Sequence, residues 1–372
     1  MAGLTAARYL QTAGLDALVL ESSDRPGGRV KSDHIEGFIL DHGFQVINPR
    51  YPEVIASRFL DKCDFRSFPA GFRVVDGTRS SQLTLSRAFS SPGSLKEKLA
   101  FLDFLRAPAS NTLSLGSASE KFPVLFREVL EPFLRGVFLA HPSEVSREAA
   151  QKIMRSFIVG RPGLPTGGVG EFSEFLAESI DAIRYNCIVQ EVKGNRVLTN
   201  DEELNAEFII VASDPTTAHQ LINGREIPHV CSSATWYHVA QNIPSDSNLL
   251  AAQKSGVVVN SLVLSELMPS YAPSDKHLIS TTTILPVSES DVRRELSQMW
   301  KTSTHDWELL ARYDIKQSLP FFGVGKAING EQHVEGGIYL AGDHCAYPSQ
   351  QGAMESGRIA AQEIIRRALP KR

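Results

Sequence analysis

A carboxylate, two arginines and a pair of glycines lie close together near the start of the chain, in the stretch ESSDRPGGRV. Glu21 is followed there by Arg25, Gly27, Gly28 and Arg29. Adjacent glycines let backbone N–H groups approach a phosphate, an arginine can bind it through two hydrogen bonds, and a carboxylate accepts from ribose hydroxyls. The spacing therefore predicts a nucleotide-binding site, whereas Pro-Gly-Gly by itself is also typical of a plain turn.

The residues before Glu21 predict the elements that position it. Apolar periodicity over residues 4–11 predicts a short helix, and the apolar run 17–20 predicts a buried parallel strand that ends at the acid. Gly3 precedes Glu21 at the spacing that separates the third glycine of a GxGxxG turn from its ribose-binding acid. These features predict the second half of a dinucleotide-binding βαβ unit. A surface helix followed by a strand is the simpler alternative.

A second pattern lies near the other end of the chain. The apolar run 337–341 predicts a buried strand, and it is followed directly by Gly342 and Asp343. The stretch GAMESGRIAA, residues 352–361, then predicts a helix with small residues at close spacing. Small residues let a helix approach a ligand, and the N–H groups at its start can donate to a carbonyl or a phosphate.

Together these stretches resemble the signatures of the FAD-dependent amine oxidase, phytoene desaturase and protoporphyrinogen oxidase superfamily. Its members carry GxGxxG, then ExxxRxGGR, and a C-terminal Gly-Asp before a helix of small residues. The resemblance brackets almost the whole chain. It implies an α/β fold with a Rossmann-like FAD-binding domain of the glutathione-reductase type, residues 1–70, 165–225 and 330–372. An interleaved α+β substrate domain would occupy residues 71–164 and 226–329.

The resemblance also implies which residues contact FAD. Gly43 and Phe44 follow the apolar segment 38–41 and match a segment that runs close to the flavin, with an ordinary hairpin strand as the alternative. Val189 matches a residue beside the adenine, and Asp343 matches an acceptor for hydroxyl groups near the pyrophosphate. The implied FAD-binding residues are Gly3, Glu21, Arg25, Gly27, Gly28, Arg29, Gly43, Phe44, Val189, Gly342, Asp343, Gln350, Gln351 and Ala353.

The first strand and the first two glycines of the motif do not precede Gly3 in this sequence. We expect an N-terminally truncated sequence whose start is assigned at an internal methionine, with Met1 and Ala2 at the two variable positions of the motif. The opposing hypothesis is an inactive flavin-fold paralogue or fragment, because the missing turn would remove donors to the pyrophosphate.

The resemblance implies an FAD-dependent oxidoreductase that transfers a hydride from its substrate to the flavin. Ser349 lies near the position where amine oxidases place one aromatic wall of their amine-binding cage, and Cys345 does not match the cysteine that binds flavin covalently in monoamine oxidases. These differences favour non-covalent FAD and a small hydrophobic substrate, isoprenoid-like or tetrapyrrole-like. Amine oxidation by the same fold stays the alternative. No catalytic residue is assigned, and His42 and His344 are predicted to be structural.

Charge and composition disfavour several other classes. The chain has 372 residues and a formal net charge of −4, which gives no electrostatic reason to bind nucleic acid. No apolar run reaches the roughly 20 residues needed to cross a bilayer, and the start does not resemble a signal peptide. The four cysteines are far apart, so neither disulfides nor a metal site is predicted. A cytoplasmic location is the default, a plastid stays open if a targeting segment was lost, and the oligomeric state is open.

The middle of the chain predicts a loop and then helices. Residues 80–94 are rich in serine and predict a loop. Ser94 and Glu97 predict a capping box at the start of the next helix. The apolar face of that helix, over residues 95–105, is predicted to lie in the core or in the wall of a substrate cavity, with peripheral membrane contact as the alternative.

The remaining segments predict the return to the nucleotide fold and a second sheet. The glycine-rich stretch 160–170 leads into a predicted helix that continues to about residue 184, and alternation over 236–285 predicts the sheet of a substrate domain. Five aromatic residues follow that are predicted to be core, with a pocket lining as the alternative: Trp300, Trp307, Tyr313, Phe321 and Phe322.

Overall fold

The computed structural model of the chain describes residues 1–77, 79–84, 91–222, 228–242, 244, 248–328 and 332–369. Its α-helices are α1 (Ala2–Thr12), α2 (Pro52–Ser57), α3 (Leu95–Arg106), α4 (Leu115–Ser119), α5 (Pro123–Leu125), α6 (Glu131–Phe138), α7 (Arg147–Val159), α8 (Gly170–Glu178), α9 (Pro215–Leu221), α10 (Leu264–Leu267), α11 (Glu289–Trp300) and α12 (Gln350–Ala368).

The β-strands are β1 (Val19–Leu20), β2 (Ser32–Ile35), β3 (Phe38–Asp41), β4 (Phe65–Ser67), β5 (Gly71–Asp76), β6 (Arg79–Thr84), β7 (Gly163–Pro165), β8 (Ile183–Arg184), β9 (Val189–Lys193), β10 (Arg196–Thr199), β11 (Glu203–Asn205), β12 (Ile209–Val211), β13 (Val230–Ala240), β14 (Leu250–Gln253), β15 (Val258–Val263), β16 (His277–Ile284), β17 (Glu308–Pro320) and β18 (Ile338–Leu340). The α/β class predicted from the sequence is confirmed.

A seven-stranded sheet forms the largest layer, in the order β17-β13-β16-β15-β14-β5-β6. Because side chains alternate along a strand, the sheet has two different faces. One face packs against α11, where Trp236 and Trp300 are fully buried. The other faces the N-terminal elements, and there the Tyr237 hydroxyl donates to the Asp41 carbonyl at 2.9 Å. The sheet predicted over 236–285 is present, and β5, β6 and β17 extend it.

The elements predicted to bind a nucleotide include two parallel strand pairs, β1 with β8 and β12 with β18. Helices α1 and α12 pack on each other so closely that a Cβ on Gly357 would overlap the Ala2 carbonyl oxygen. The buried strand predicted over 17–20 is shorter than expected, and both residues of β1 are only half-buried because they line a large cavity. All seven strands of the large sheet fall within the ranges expected for the substrate domain, and the division into domains stays a prediction.

Helix α3 begins with the predicted capping box. The Ser94 hydroxyl accepts from the Glu97 N–H at 3.3 Å, and the Glu97 carboxylate accepts from the Ser94 N–H at 2.7 Å. The helix is buried only near its C-terminal end, at Phe104 and Leu105. The expectation that its apolar face lies in the core or cavity wall is therefore wrong for three residues, which are exposed: Leu95, Leu99 and Leu102. Among the described residues, no helix is both long and apolar enough to span a membrane.

Two predicted boundaries differ from the structure. Residues 80–84, predicted as part of the loop over 80–94, belong instead to the edge strand β6, because hairpin pairing with β5 gives their backbone groups hydrogen-bond partners. Of the remaining loop prediction, residues 85–90 lie outside the described residues. Helix α8 ends at Glu178 rather than near residue 184, because the chain turns back to place β8 beside β1.

The five aromatic residues of the C-terminal half do not line the cavity described below. Trp300, Trp307 and Phe322 are buried in hydrophobic clusters. Phe321 packs at the edge of one such cluster, and Tyr313 donates its hydroxyl to Asp33 at 2.8 Å. The predicted core role is confirmed for Trp300, Trp307 and Phe322, whereas Phe321 and Tyr313 are only partly buried.

Candidate functional site

A continuous cavity of about 2250 Å³ lies between the nucleotide-binding elements and the seven-stranded sheet. Sites for drug-sized ligands usually measure roughly 300–1,000 Å³, so this cavity has room for a large cofactor together with a substrate. We call the part lined by α1, β1, β8 and β12 the nucleotide end. The part lined by residues 68–72, by α6 and by the sheet is the substrate end.

Most of the predicted cofactor-binding residues meet in this cavity although they come from distant parts of the chain. The twelve that line it are Gly3, Glu21, Gly27, Gly28, Arg29, Gly43, Phe44, Val189, Gly342, Asp343, Gln350 and Ala353. Their contact with a cofactor stays a prediction, but their convergence on one cavity is what a common ligand requires.

The other two predicted residues, Arg25 and Gln351, do not line the cavity. Arg25 forms an ion pair with Asp33 and donates to the Ser32 carbonyl at 2.8 Å. The Gln351 side-chain oxygen accepts from the Glu53 N–H at 2.9 Å. Contact of these two residues with a cofactor stays a prediction. In the structure, each of them holds a neighbouring segment in place through these contacts.

The carboxylate of Glu21 is held at the end of β1 by the turn that follows it. The Ser23 N–H and hydroxyl both donate to one Glu21 oxygen, at 2.9 and 2.7 Å. Glu21 is half-buried and lines the cavity. A carboxylate fixed in this way can accept hydrogen bonds from ribose hydroxyls without first losing conformational freedom.

The glycine pair makes the turn that brings the backbone to the cavity wall. Gly27 and Gly28 have φ angles of 114° and 62°, in the region that favours glycine. A Cβ on Gly27 would overlap the Val30 carbonyl oxygen, whereas the space around a Cβ on Gly28 is open. Backbone at Gly28 is therefore accessible to a ligand phosphate.

Arg29 links this turn to the C-terminal motif. Its guanidinium binds the Asp343 carboxylate at 2.7 Å and donates to the Ser318 carbonyl. The Asp343 side chain is nearly buried, with 5% exposed, while 36% of the Arg29 side chain is exposed. One cation and one acceptor are thus fixed side by side at the wall of the cavity.

Gln45 is a cavity-lining residue that sequence reasoning missed. Its amide donates to the Arg29 carbonyl at 2.6 Å and to the His42 carbonyl at 3.1 Å, and its oxygen accepts from Gln350 at 3.1 Å. It therefore joins the glycine turn to the start of α12. The only sequence signal was its position three residues after His42, in the segment that the resemblance places near a flavin.

A charged cluster next to the cavity contains His42 and Asp33. The His42 imidazole contacts the Asp33 carboxylate at 2.7 Å, and Arg25 and Tyr313 bind the same carboxylate. Burial raises the pKa of Asp33, but the hydrogen bonds from Arg25, Tyr313 and His42 outweigh it and lower that pKa. Burial lowers the pKa of His42. His42 also lines the cavity, and the structural role predicted for it stays a prediction.

Asp41, by contrast, is buried behind the cavity wall. Its carboxylate accepts from the Ser32 hydroxyl at 2.6 Å, the Val169 N–H at 3.1 Å and the Tyr271 hydroxyl at 3.1 Å. Burial raises the pKa of Asp41 to about 6, and these three hydrogen bonds oppose the shift without cancelling it. Asp41 thus connects β3 to the start of α8 and, through its carbonyl and Tyr237, to the seven-stranded sheet.

The polar groups of the nucleotide end fit a dinucleotide such as FAD. Glu21 supplies an acceptor for a ribose, and Gly28 and Arg29 supply backbone and a cation for phosphates. Within the described residues, the buried side-chain oxygens of Gln317 and Gln350 have no hydrogen-bond partner and line the cavity. Both are therefore available to donors on a bound molecule. In the described part of the chain, no group of three or more His, Cys, Asp or Glu residues is arranged to hold a metal ion.

The substrate end is mainly apolar. Phe72 and Phe133 stack with ring centroids 4.6 Å apart, and Phe157 meets Phe133 edge to face at 5.3 Å. Further apolar residues complete the wall: Phe44, Phe68, Leu83, Val129, Val137, Leu139, Ile158, Val159, Ile315 and Leu319. Such a surface binds molecules by burial of apolar area.

The chain is similar in sequence to curated flavoenzymes. It is 27% identical to protoporphyrinogen oxidase 2, chloroplastic/mitochondrial, of Arabidopsis thaliana in an alignment over 189 residues that covers 43% of this chain and 36% of that protein. It is 47% identical to putrescine oxidase of Kocuria rosea over 84 residues, which are 21% of this chain and 17% of that protein. The chain thus spans about a third or less of the length of these two relatives.

Solved structures share the whole fold. An oxidoreductase from Methanosarcina mazei superposes with a TM-score of 0.78 at 16% identity, covering 98% of both chains. A reduced UDP-galactopyranose mutase superposes with a TM-score of 0.74 at 15% identity, covering 99% of this chain and 94% of the other. At such identities the likeness shows the fold alone.

The family model for flavin containing amine oxidoreductases matches residues 1–365. This range includes the glycine turn, the Gly-Asp motif and nearly all of α12, the elements that converge on the cavity. The chain belongs to the flavin containing amine oxidoreductase family.

Proposed function

We propose that the chain is an FAD-dependent oxidoreductase that oxidises a small, largely apolar molecule in the substrate end of the cavity. The observation that carries this proposal is the wall of phenylalanine and aliphatic side chains, continuous with the nucleotide end. FAD, when bound, supplies the acceptor for a hydride from the substrate. The apolar wall binds the substrate and excludes water from it.

The chain's own residues would hold the cofactor. Glu21 would accept from the ribose, the turn at Gly28 and the Arg29 guanidinium would bind phosphate, and Asp343 would accept from hydroxyl groups beside it. Cys345 does not line the cavity, and this supports non-covalent binding. Phe44, on the wall between the two ends, would lie where cofactor and substrate meet.

Amine oxidation is the second candidate, supported by the similarity to putrescine oxidase. An ammonium group needs a carboxylate or aromatic faces to replace its hydration. Ser349, at the position of an amine-cage aromatic, instead caps α12 by accepting from the Gly352 N–H at 2.9 Å. Asp314 lies on β17 and lines the cavity at the substrate end. Its carboxylate is paired with Arg312 at 2.7 Å. Both observations favour the apolar substrate.

The first test is the visible absorption spectrum of the purified chain after incubation with FAD and desalting. We expect a retained flavin spectrum, with the flavin released by acid precipitation because it is not covalently bound. The variant Arg29→Gln should weaken FAD binding roughly tenfold or more, because it removes a charged donor to phosphate. Arg294→Gln is the matched control, since Arg294 also holds an aspartate, Asp291, at 2.7 Å and neither residue lines the cavity.

The substrate class is tested by anaerobic bleaching of the retained flavin. Apolar polyenes, porphyrinogens and amines of similar apolar size are added separately, and reduction by the apolar compounds or porphyrinogens is expected. Bleaching by amines alone would replace this proposal with amine oxidation. A folded protein that retains no FAD would contradict both.

A further inference from the structure

Three of the polar side chains that the seven-stranded sheet contributes to the cavity lie in register on neighbouring strands. They are Thr235 on β13, Thr282 on β16 and Asn260 on β15. Thr235 is directly opposite Thr282, and Thr282 is directly opposite Asn260. Residues in register on neighbouring strands point to the same face, so the three form one line across the sheet. We call this line the polar row.

The polar row is buried and its hydrogen-bonding capacity is unused. Thr235, Thr282 and Asn260 are 0%, 5% and 6% exposed, and all three line the cavity. Within the described residues, the two threonine hydroxyls and the Asn260 side-chain oxygen have no hydrogen-bond partner. Buried polar atoms are normally paired, because an unpaired one costs about 1–3 kcal/mol. Three such atoms in one line therefore indicate a ligand that pairs with them.

Polar side chains one residue away on the opposite face are paired. The Ser261 and Thr281 hydroxyls are 3.0 Å apart, and Trp236 donates to the Thr283 hydroxyl at 2.9 Å. The same strands thus pair these hydroxyl groups where the sheet packs on protein. The three unpaired atoms of the polar row lie where the sheet meets the cavity, so a bound molecule can reach them.

Helix α6 has a glycine where it packs against Asn260, one residue of the polar row. Gly136 lies inside this helix, where glycine is destabilising by roughly 1 kcal/mol relative to alanine. A Cβ at Gly136 would lie 2.5 Å from the Asn260 amide nitrogen. The glycine thus leaves open the space that the Asn260 amide occupies in the wall of the cavity.

We propose that the polar row recognises a neutral hydrogen-bonding group, a hydroxyl, carbonyl or amide, carried by an otherwise apolar substrate. This inference rests on the proposed function and names its specificity site. Cross-strand neighbours have Cβ atoms roughly 5 Å apart, so the row spans about 10 Å. Hydroxyl and amide groups pair with neutral partners, and the row itself contains no charge that would favour an ionised group.

The test is calorimetric titration of the purified chain, in the presence of excess FAD, with C15 probes that differ in one group. These are farnesene, farnesol, farnesal, farnesylamine and farnesoic acid. Farnesol and farnesal are expected to bind roughly tenfold more tightly than farnesene, because only they pair with the row. Two variants are compared with the wild type: Thr282→Val alone, and Thr282→Val combined with Thr235→Val and Asn260→Leu. In both, the ratio of the affinity for farnesol or farnesal to the affinity for farnesene should fall toward one, while farnesene itself still binds.

A second readout separates binding from a structural role. Because Val keeps the shape of Thr and removes an unpaired hydroxyl, Thr282→Val should raise the melting temperature of the ligand-free protein, by roughly 1–3 °C. Thr281→Val is the matched control on the adjacent residue. It breaks the contact with Ser261, so it should lower the melting temperature and leave the preference for farnesol unchanged.

The outcomes distinguish this inference from the proposed function. If none of the five probes binds, the apolar-substrate proposal falls, and this inference falls with it. If farnesene binds as tightly as farnesol, or if Thr282→Val keeps the full preference, the polar row is not the recognition site although the cavity is apolar. Tighter binding of farnesylamine or farnesoic acid than of farnesol would overturn the neutral character of the recognised group.

Discussion

Arg29 and Asp343 are 314 residues apart in the chain, yet their side chains form an ion pair of 2.7 Å in the wall of the cavity. The aspartate is nearly buried, and the arginine is the cation that binds it. A buried carboxylate that loses its cation becomes an uncompensated charge. The pair therefore stabilises the contact between the N-terminal glycine turn and the C-terminal Gly-Asp motif.

Replacing Arg29 by Met should lower the free energy of unfolding of the ligand-free protein by about 1–3 kcal/mol, measured by urea denaturation. The effect should stay below the 3–5 kcal/mol of a fully buried pair, because solvent screens the partly exposed Arg29. Arg196→Met is the control. Its pair with Glu203 is 3.6 Å long with both side chains about half exposed, so a change below about 0.5 kcal/mol is expected. Equal losses in the two variants would contradict this assignment.

Alanine at Gly27 and at Gly28 should have different effects although both glycines have positive φ. Each substitution strains the backbone, but only the Gly27 side chain would collide, with the Val30 carbonyl and the Ser173 hydroxyl. Gly27→Ala should therefore be more destabilising than Gly28→Ala by about 1–3 kcal/mol. Thermal unfolding of the two ligand-free variants measures the difference. If Gly28→Ala were the less stable one, the two residues would not have the packing described here.

Asp41 should make the protein less stable as the pH rises through its folded pKa. The folded pKa is about 6 and the ordinary value is 3.8, so the folded state holds the proton more tightly than the unfolded chain. The protonated Asp41 carboxyl makes its full contribution to the free energy of unfolding below about pH 4. That contribution, about 3 kcal/mol, is lost as the pH rises from about 4 to 6.

The variant Asp41→Asn removes this titration. Urea unfolding measured from pH 4 to pH 7 should show that the difference between wild type and Asp41→Asn changes with pH in that window. Asp61→Asn, at an exposed residue, should follow the wild-type profile. A constant difference between wild type and Asp41→Asn across the window would show that burial does not raise the pKa of Asp41.

Titration of His238 should change the free energy of unfolding with pH in the opposite direction to titration of Asp41. It is fully buried on the α11 side of the sheet, and burial, together with the charge of Arg293, lowers its pKa to about 4. The unfolded chain takes up the proton first, so this contribution to stability is present above about pH 6.5 and is lost as the pH falls toward 4. The loss is about 3 kcal/mol, similar in size to the Asp41 effect and opposite in sign.

His238→Phe keeps a ring of similar size beside Trp307 and removes the titration. Below pH 6 it should therefore be more acid-resistant than wild type, as measured by unfolding at a series of pH values. His305→Phe, at an exposed histidine, should show no gain. If His238→Phe and wild type lose stability in parallel on acidification, His238 does not titrate in this range.

The two glycine-containing motifs of the site were predictable because their chemistry is local. The glycine turn 27–28 and the motif at 342–343 each carry their geometry within a few residues, and both line the cavity. Arg25 shows the limit of this reasoning. A signature identifies an arginine beside a glycine turn, but the position of Asp33 decides that the Arg25 guanidinium is paired with a carboxylate.

The substrate end could not be predicted in the same way. Thr235, Asn260 and Thr282 belong to three strands whose register is set by long-range pairing, and the alternation of each strand does not say which face meets a cavity. Helix α3 illustrates the same limit. The spacing of Leu95, Leu99 and Leu102 predicts one apolar face, but periodicity does not identify what covers it, and the structure leaves these three leucines exposed.

The separation of Arg29 from Asp343 also has a consequence for synthesis in the cell. Translation at roughly 5–20 residues per second places Asp343 in the growing chain about 15–60 s after Arg29. During that interval the glycine turn exists without its anionic partner, and α1 exists without α12. The Arg29–Asp343 ion pair and the packing of α1 on α12 therefore form only after the C-terminal motif has been synthesised.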